Sequence, residues 1–150
     1  MKLSLLKYAW FVAIILFIFR SLHMADIYVI SVVLPQILEE FQITYASGGA
    51  IFTATFAFSV LLYPVWGYLF DKYSRKNLIS ISGILWGITT WLNTLPRNFL
   101  GFFITRTLTG VDDTPPSGIN SLISDYFPPK SRGKPLGLIN ATGAFGALIG

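Results

Sequence analysis

Long apolar runs separated by short polar stretches dominate the pattern of this sequence. Residues 8–34, 48–70, 77–95 and 99–124 are largely apolar, and a fifth apolar run covers residues 135–150. A helix that crosses a bilayer needs about 20 apolar residues, so the first four runs predict membrane spans. The fifth run has only 16 residues, and we expect the sequence to stop within a helix. The pattern therefore predicts an all-α, polytopic membrane helix bundle.

The first apolar run has an alternative interpretation. Lys2 and Lys7 precede it, an arrangement that is also typical of a signal peptide. However, the apolar character resumes from Ile27 to Leu34, and His23-Met24-Ala25 is a poor cleavage site. These features favour a first span over a cleaved signal. Pro35 and the acidic pair Glu39-Glu40 then indicate the exit from the membrane.

The second run carries three further signals. A stripe of small residues with four-residue spacing predicts close packing against another helix, the alternative being small residues that face lipid: Gly49, Thr53 and Ala57. Pro64 predicts a kink near the end of this helix. An interfacial aromatic belt is predicted at Tyr63, Trp66 and Tyr68.

Composition agrees with a membrane protein and excludes several functions. Only 12% of residues are charged and 53% are hydrophobic, whereas about a quarter of a soluble domain is charged. Without cysteine, disulfides, thiolate metal sites and Cys nucleophiles are excluded, and the lone His cannot build a metal site by itself. HExxH and GxSxG motifs are also absent, so we expect neither an enzyme nor a cofactor or metal.

The cations lie almost entirely on one side of the predicted membrane. Eight of the eleven Lys and Arg residues flank alternate spans: Lys2, Lys7, Lys72, Arg75, Lys76, Lys130, Arg132 and Lys134. The opposite loops contain Arg97 alone. Because cytoplasmic loops carry the excess of Lys and Arg, the N-terminus is predicted to be cytoplasmic, in a plasma-membrane protein. Topology explains the net charge of +4 better than a nucleic-acid partner, which we do not expect.

The connection between the second and third runs carries a recognisable motif. Residues 67–76 read Gly-Tyr-Leu-Phe-Asp-Lys-Tyr-Ser-Arg-Lys. They resemble the signature G-x-x-x-D-[RK]-x-G-[RK]-[RK] of the major facilitator superfamily of secondary transporters. Ser74 replaces the second Gly, and Ser adopts a positive φ reluctantly, so the tight turn is in question. The alternative is an ordinary basic loop that obeys the positive-inside rule.

The resemblance extends to the end of the sequence. Arg106-x-x-x-Gly110, the loop Ser124–Gly133 and the Gly-rich fifth run are similar to the fourth and fifth spans of that family. The family implies twelve spans in two halves, so these 150 residues would be less than one half, with the C-terminal spans missing. It also implies a cytoplasmic gate, which would involve Gly67, Asp71, Lys72, Arg75, Lys76, Asp125 and Arg132. Within it, Asp125 would pair with Arg75, or else be a solvated loop carboxylate.

Spinster-like lipid transporters are the most similar subfamily. Asp26 precedes Pro35 by nine residues, as their first-span Asp precedes a Pro. Their fourth-span pattern R-x-x-x-G-x-G-E-A is matched by Arg106, Gly110 and Asp113, whereas Asp112 replaces a Gly. Anion and sugar-acid transporters of the same superfamily remain competing possibilities.

Six ionisable residues lie inside the predicted spans: Arg20, His23, Asp26, Arg106, Asp112 and Asp113. A charge in the membrane costs about 2.5–3.5 kcal/mol, so such residues usually mark a pathway. On continuous antiparallel helices, Asp26 and Arg106 would lie at the same depth, and Arg20 and Asp112 would form a second level deeper in the membrane. Arg106 and Asp113, seven residues apart, would share one face of the fourth helix, which we expect to be broken at Pro115-Pro116 and Gly118. Alternatively, Arg20 snorkels to the surface, while Asp112 and Asp113 lie in an inner loop.

These features predict a transporter of a small organic solute. Loss of an arginine partner lets a carboxylate take up a proton, so proton coupling is expected beside a facilitative alternative. An organic anion or a lysolipid-like amphiphile is the expected solute, because Arg106 offers a bidentate anion site. A non-transporting membrane adaptor is the alternative, although it would not need charges inside the bilayer.

The topology can be tested by labelling. Single Cys residues are introduced at Gln42, Ser74, Asn98 and Ser131 in the full-length protein, after any native Cys has been replaced. Because alternate loops face opposite sides, an impermeant maleimide added to intact cells should label positions 42 and 98 and spare 74 and 131. Equal external labelling at 42 and 74 would refute the predicted topology.

Overall fold

The computed structural model describes residues 2–113 and 116–150, and all regular secondary structure there is helical. The helices are α1 (Lys2–Val32), α2 (Leu34–Glu40), α3 (Tyr45–Lys72), α4 (Arg75–Leu92), α5 (Phe99–Leu108), α6 (Pro116–Tyr126), α7 (Gly133–Asn140) and α8 (Thr142–Ile149), with 3-10 turns at Thr109–Val111 and Pro129–Ser131. The all-α prediction is confirmed. α1 and α3 contain apolar stretches long enough to cross a membrane, at Leu6–Val32 and Tyr45–Lys72.

The helices form two compact units. The first contains α1 together with α6, α7 and α8, and the second contains α2 to α5. In the first unit, α1 buries a face of small and apolar residues: Ala9, Ala13, Leu16 and Ala25. Aromatic pairs between helices or their flanking loops add to this packing, at Tyr8–Tyr126, Trp10–Phe127 and Phe17–Phe145.

α1 and α8 approach most closely at a glycine. A Cβ on Gly146 would collide with Met24, and it would lie 2.9 Å from the backbone nitrogen of Ala25. Only a residue without a side chain permits two helices to come this near, which is the usual packing device of membrane helices. The Gly-rich composition of the fifth run therefore has a structural cause at Gly146.

In the second unit, polar side chains set where helices begin. Thr44 precedes α3, and its hydroxyl accepts a hydrogen bond from the backbone nitrogen of Ser47 at 3.4 Å. Asn98 precedes α5 in the same way, accepting from the nitrogen of Gly101 at 2.8 Å. Such caps satisfy donors that a helix N-terminus leaves unpaired. α3 continues through Pro64 without a break.

The turn between α3 and α4 does not need a glycine. Only Tyr73 and Ser74 separate the two helices, so the charged residues of the motif lie on helix ends. Ser74 has φ −59° and ψ 119°, and Tyr73 is extended at φ −122°. Among the described residues, Gln42 is the single non-Gly position with positive φ. The tight turn is therefore made with backbone angles that Ser adopts readily.

The fourth apolar run breaks earlier than its prolines indicate. α5 ends at Leu108, and the chain continues as the 3-10 turn Thr109–Val111. Pro115 lies outside the described residues, and Gly118 lies within α6. The prediction that Arg106, Asp112 and Asp113 lie on one continuous α-helix is thus wrong. The depths and shared face inferred from 3.6 residues per turn do not apply beyond Leu108.

The small-residue stripe of α3 is not in contact with another helix among the described residues, and its role in packing stays a prediction. Gly49, Thr53 and Ala57 are all exposed, and a Cβ on Gly49 would meet nothing within 4 Å. The packed face lies two positions further along and includes Ile51 and Ser59. Both faces repeat every four residues, the exposed one at positions 49, 53 and 57 and the packed one at positions 51, 55 and 59. The packed face differs because its hydroxyl groups, on Thr55 and Ser59, contact Arg106 and Gly110.

Gly110 provides a test of this packing. A Cβ there would lie 2.7 Å from the backbone oxygen of Thr55 and 2.8 Å from Ser59 Oγ, so α3 would have to move away. We expect Gly110→Ala to destabilise the full-length protein by about 1–3 kcal/mol. Thermal unfolding in detergent measures the change. Gly87→Ala is the matched control, because a Cβ at Gly87 meets nothing within 4 Å. Equal stability of the two variants would contradict the packing.

Candidate functional site

The candidate site is built on one face of α3. Thr55, Ser59, Tyr63 and Trp66 follow one another at intervals of four, four and three residues, the spacing of a single helix face. We call these four residues the polar stripe. Each of them touches the segment Arg106–Asp113, where α5 ends and the backbone becomes irregular.

The polar stripe satisfies carbonyl groups of this segment. The last carbonyls of a helix have no partner within the helix, and in a bilayer no water replaces one. The single hydroxyl proton of Thr55 is shared between two carbonyl oxygens, that of Ile51 in its own helix at 2.9 Å and that of Arg106 at 3.1 Å. The carbonyl oxygen of Arg106 also accepts from Thr109, from its hydroxyl at 2.7 Å and from its backbone nitrogen. Trp66 Nε1 donates to the carbonyl oxygen of Val111 at 2.9 Å. Side chains thus add to the backbone hydrogen bond that Arg106 accepts, and Trp66 supplies a donor to Val111 after α5 has ended.

Two hydroxyl groups hold the two carboxylates that follow the break. Thr89 Oγ1, on α4, donates to Asp112 Oδ2 at 2.8 Å. The phenol of Tyr63, on α3, donates to Asp113 Oδ2 at 3.0 Å. Asp112 lies outside the helices, as in the alternative of an inner loop, but it is only 4% exposed. A buried carboxylate needs such donors, because burial removes its hydration.

Arg106 is the buried cation of the same unit. It lies in the last turn of α5 and is only 7% exposed. A cation at a helix C-terminus is favoured by the partial negative charge of the helix dipole there. One short segment therefore presents a buried guanidinium followed, six and seven residues later, by two carboxylates.

In the first unit, α1 brings Arg20 and His23 together. Arg20 Nη1 lies 3.3 Å from His23 Nδ1, and His23 is 5% exposed. A guanidinium can only donate, so this hydrogen bond requires Nδ1 to accept, which places the proton of a neutral His23 on Nε2. Asp26 is half-buried, three residues after His23. The pairs Asp26–Arg106 and Arg20–Asp112 join residues of two different units and stay predictions.

The motif residues Gly67–Lys76 lie at the ends of α3 and α4. Asp71, Lys72 and Lys76 are exposed, whereas Arg75 is half-buried. A Cβ on Gly67 would meet nothing within 4 Å. The ammonium of Lys72 donates to the Tyr68 hydroxyl at 3.2 Å and lies 5.5 Å from the centre of its ring. The charges of this motif are accessible, as a gate that opens and closes would require.

The predicted aromatic belt on α3 is only partly correct. Tyr68 is 60% exposed, as expected at a membrane interface. Trp66 is 6% exposed, and both it and Tyr63 bond to the segment after α5. A sequence does not distinguish these roles, since Tyr and Trp combine a large apolar body with one polar atom in either place.

Arg132 has a structural role that the sequence did not indicate. Its Nε donates to the carbonyl oxygen of Phe127 at 2.8 Å, and its Nη2 donates to that of Ser124 at 2.7 Å. These carbonyls end α6, so the guanidinium caps that helix and favourably meets its dipole. Asp125 is exposed. Its pairing with Arg75 joins residues of different units and stays a prediction.

Sequence reasoning missed Thr55, Ser59 and Thr89, and it assigned Tyr63 and Trp66 to another role. None belongs to a motif, and Ser and Thr are common in membrane helices. The available signal was the series from Thr55 to Trp66, in which each residue carries a hydrogen-bonding group on one face of an apolar helix. Among the described residues, no three His, Asp or Glu side chains gather where they could hold a metal ion.

Comparisons with known proteins agree with these features. The family model described as Major Facilitator Superfamily matches residues 16–150. "Protein spinster homolog 1" of Xenopus laevis is 34% identical over 119 residues, which cover 77% of this chain and 23% of that protein. "Multidrug resistance protein MdtG" of Escherichia fergusonii is 34% identical over 122 residues, covering 78% of this chain and 30% of that protein.

A solved structure shows the same fold. It is a bacterial homolog of the human lysosomal transporter spinster, in an inward-facing and occupied conformation. It superposes with a TM-score of 0.85 and 28% sequence identity, over 93% of this chain and 30% of that one. The chain thus spans less than a third of the length of each of these proteins.

The hydrogen bond between Thr89 and Asp112 can be tested by removing one hydroxyl. Thr89→Val keeps the shape of the side chain but leaves a buried acceptor with one donor fewer. We expect the full-length protein to lose about 1–3 kcal/mol of stability, and much less when Asp112→Ala has already removed the acceptor. Unfolding of the single and double variants in detergent gives this coupling.

Thr107→Val is the matched control, because the Thr107 hydroxyl bonds only to the carbonyl oxygen of Phe103 in its own helix among the contacts described. The loss of unfolding free energy caused by each variant is compared with Asp112 present and with Asp112 replaced. If the loss for Thr89→Val, like that for Thr107→Val, does not depend on Asp112, the Thr89 hydroxyl does not stabilise the Asp112 carboxylate.

Proposed function

The chain belongs to the Major Facilitator Superfamily, and we propose that it forms part of the N-terminal half of a secondary transporter that moves a small organic solute by alternating access. In this proposal, residues 8–34, 48–70, 77–95 and 99–124 supply the first four spans, and 135–150 begins the fifth. The N-terminus is cytoplasmic, and the plasma membrane is the proposed location.

The observation that carries the proposal is the buried charge at the break after α5. Arg106 is 7% exposed and Asp112 is 4% exposed, yet both lie in the apolar run 99–124, which is the fourth span of this proposal. Keeping charged groups there is costly, and a structural helix has no need of them. Irregular backbone at membrane depth is tolerated where it lines a protein cavity or a water-filled one. Both features are expected of a solute pathway.

The solute that this site favours is anionic. A guanidinium binds a carboxylate or phosphate through two parallel hydrogen bonds, so Arg106 can recognise an organic anion or a lysolipid-like headgroup. Asp26, Asp113, Arg20, His23 and Asp112 complete the proposed pathway for solute and protons. When Asp26 is protonated, Arg106 becomes available to the solute, so proton and solute alternate at one cation.

The gate is proposed at the cytoplasmic ends of the helices. Asp71, Lys72, Arg75 and Lys76 are grouped around the two-residue connection between α3 and α4. Opposite charges at such a place form contacts that break and re-form during a rocking motion. Asp125 is the proposed partner of Arg75. Arg132, which caps α6, stabilises the neighbouring loop in this proposal, and Gly67 leaves room beside α3.

Transport by the full-length protein in liposomes tests this function. The probes are radiolabelled lysophosphatidylglycerol and gluconate, one lysolipid and one simple anion. Asp26→Asn imitates a permanently protonated carboxylate, so it should retain counterflow at equal pH and lose accumulation driven by a pH gradient. Arg106→Ala should weaken probe binding by roughly 10- to 150-fold, and Arg106→Lys should also weaken it, because the planar fork is lost.

Glu39→Gln and Arg97→Lys are matched controls, since both residues are exposed and lie in the predicted outer loops. Accumulation by Asp26→Asn at the unsubstituted level would eliminate the coupling role. Absence of counterflow for both probes in the unsubstituted protein would reject an anionic solute of these two classes.

A further inference from the structure

We propose that the cytoplasmic end of the first unit binds an anionic phospholipid of the bilayer, with its headgroup on Lys130 and Lys134 and an acyl chain along α1. The proposal rests on the orientation given above, in which this end is cytoplasmic. It does not depend on what the protein transports.

The site consists of two adjoining clefts that share Leu6 and Trp10. One has a volume of about 400 Å³, and its polar wall is formed by Lys130, Ser131 and Lys134. The other has a volume of about 470 Å³ and continues along the apolar residues Phe11 and Ile14 of α1. We call the pair the basic cleft. Its cationic end and apolar extension match the two parts of an anionic lipid.

The apolar part of the basic cleft is accessible from the hydrocarbon side. Phe11 is 59% exposed and Ile14 is 48% exposed, whereas the opposite face of α1 is buried. The ring of Trp10 packs edge-on against Phe127 at 5.5 Å between centres, which fixes the wall that both clefts share. Trp is typical of the headgroup level of a membrane, where one side of its ring is apolar and the other is polar.

The headgroup end of the basic cleft is strongly positive. Lys130 and Lys134 are exposed, and Lys7 lines the adjoining cleft. Residues 116–150 contain a single carboxylate, Asp125. The cytoplasmic leaflet carries the anionic lipids, and basic pockets between helices on that side bind their headgroups. Charge complementarity therefore selects an anionic phospholipid rather than a zwitterionic one.

The loop that presents these lysines is already ordered. Arg132 bonds to the carbonyl oxygens of Ser124 and Phe127, and Ser131 Oγ donates to that of Pro128 at 3.1 Å. Arg132 is therefore engaged with the backbone of the loop, whereas Lys130 and Lys134 are exposed. A preformed site loses less conformational entropy when a ligand binds.

Native mass spectrometry of the full-length protein in neutral detergent measures the binding. The probes are phosphatidylglycerol and phosphatidylcholine with identical palmitoyl and oleoyl chains. We expect phosphatidylglycerol to bind at least about tenfold more tightly. Lys130→Gln/Lys134→Gln should weaken it by about 5-fold for each lysine removed, whereas Arg97→Gln, on the opposite side, should leave it unchanged.

A second pair of variants tests the shape of the basic cleft. Gly133 lines it, and a Cβ at Gly133 or at Gly137 meets nothing within 4 Å. Gly133→Leu should therefore fold and block phosphatidylglycerol binding, and Gly137→Leu, on the same helix but outside the lining, should leave it intact.

Three results would overturn the proposal. They are equal affinity for the two lipids, unchanged binding by the double lysine variant, and competition by free glycerol 3-phosphate, which would indicate a site for a soluble anion. A loss of folding by Gly133→Leu alone, with lipid binding unaffected by the lysine changes, would show that later segments of the chain fill the cleft. None of these outcomes depends on transport activity.

Discussion

A helix that ends among apolar side chains leaves backbone groups with no water to bond to, and this constraint governs the second unit. α5 ends at Leu108, and side chains donate to carbonyl oxygens on both sides of that end, Thr55 and Thr109 to Arg106 and Trp66 to Val111. The polar stripe exists because these groups must be satisfied by protein. Once α3 supplies those donors, Gly110 must lie against it without a side chain. These contacts with α3 fix the backbone just before Asp112 and Asp113, and so they also determine where the two carboxylates lie.

The same constraint explains how charge is tolerated near the break. Asp112 and Asp113 receive hydroxyl donors from two different helices, Thr89 on α4 and Tyr63 on α3. A lone carboxylate in an apolar setting is costly, whereas one with donors from rigid helices is held in a fixed position.

Sequence patterns predicted the helical architecture and the motif at the α3–α4 connection, because both depend on local features. Apolar run length and cation position are readable one segment at a time. The packed face of α3 could not be predicted in this way. The face with Gly49 and the face with Thr55 have the same four-residue spacing, and only contact with the segment after α5 distinguishes them. Likewise, prolines led us to place the break of the fourth run near Pro115, whereas hydroxyl and glycine contacts end α5 at Leu108. The charged pairs between the two units rest on the sequence alone.

Arg132 gives the loop after α6 a mechanical property. Its guanidinium grips two carbonyl oxygens at the end of α6, and α7 begins at the next residue, Gly133. The loop is therefore held to α6 by side-chain hydrogen bonds as well as by the main chain. A displacement of the end of α6 would therefore displace the start of α7 as well, because one guanidinium joins the two helices.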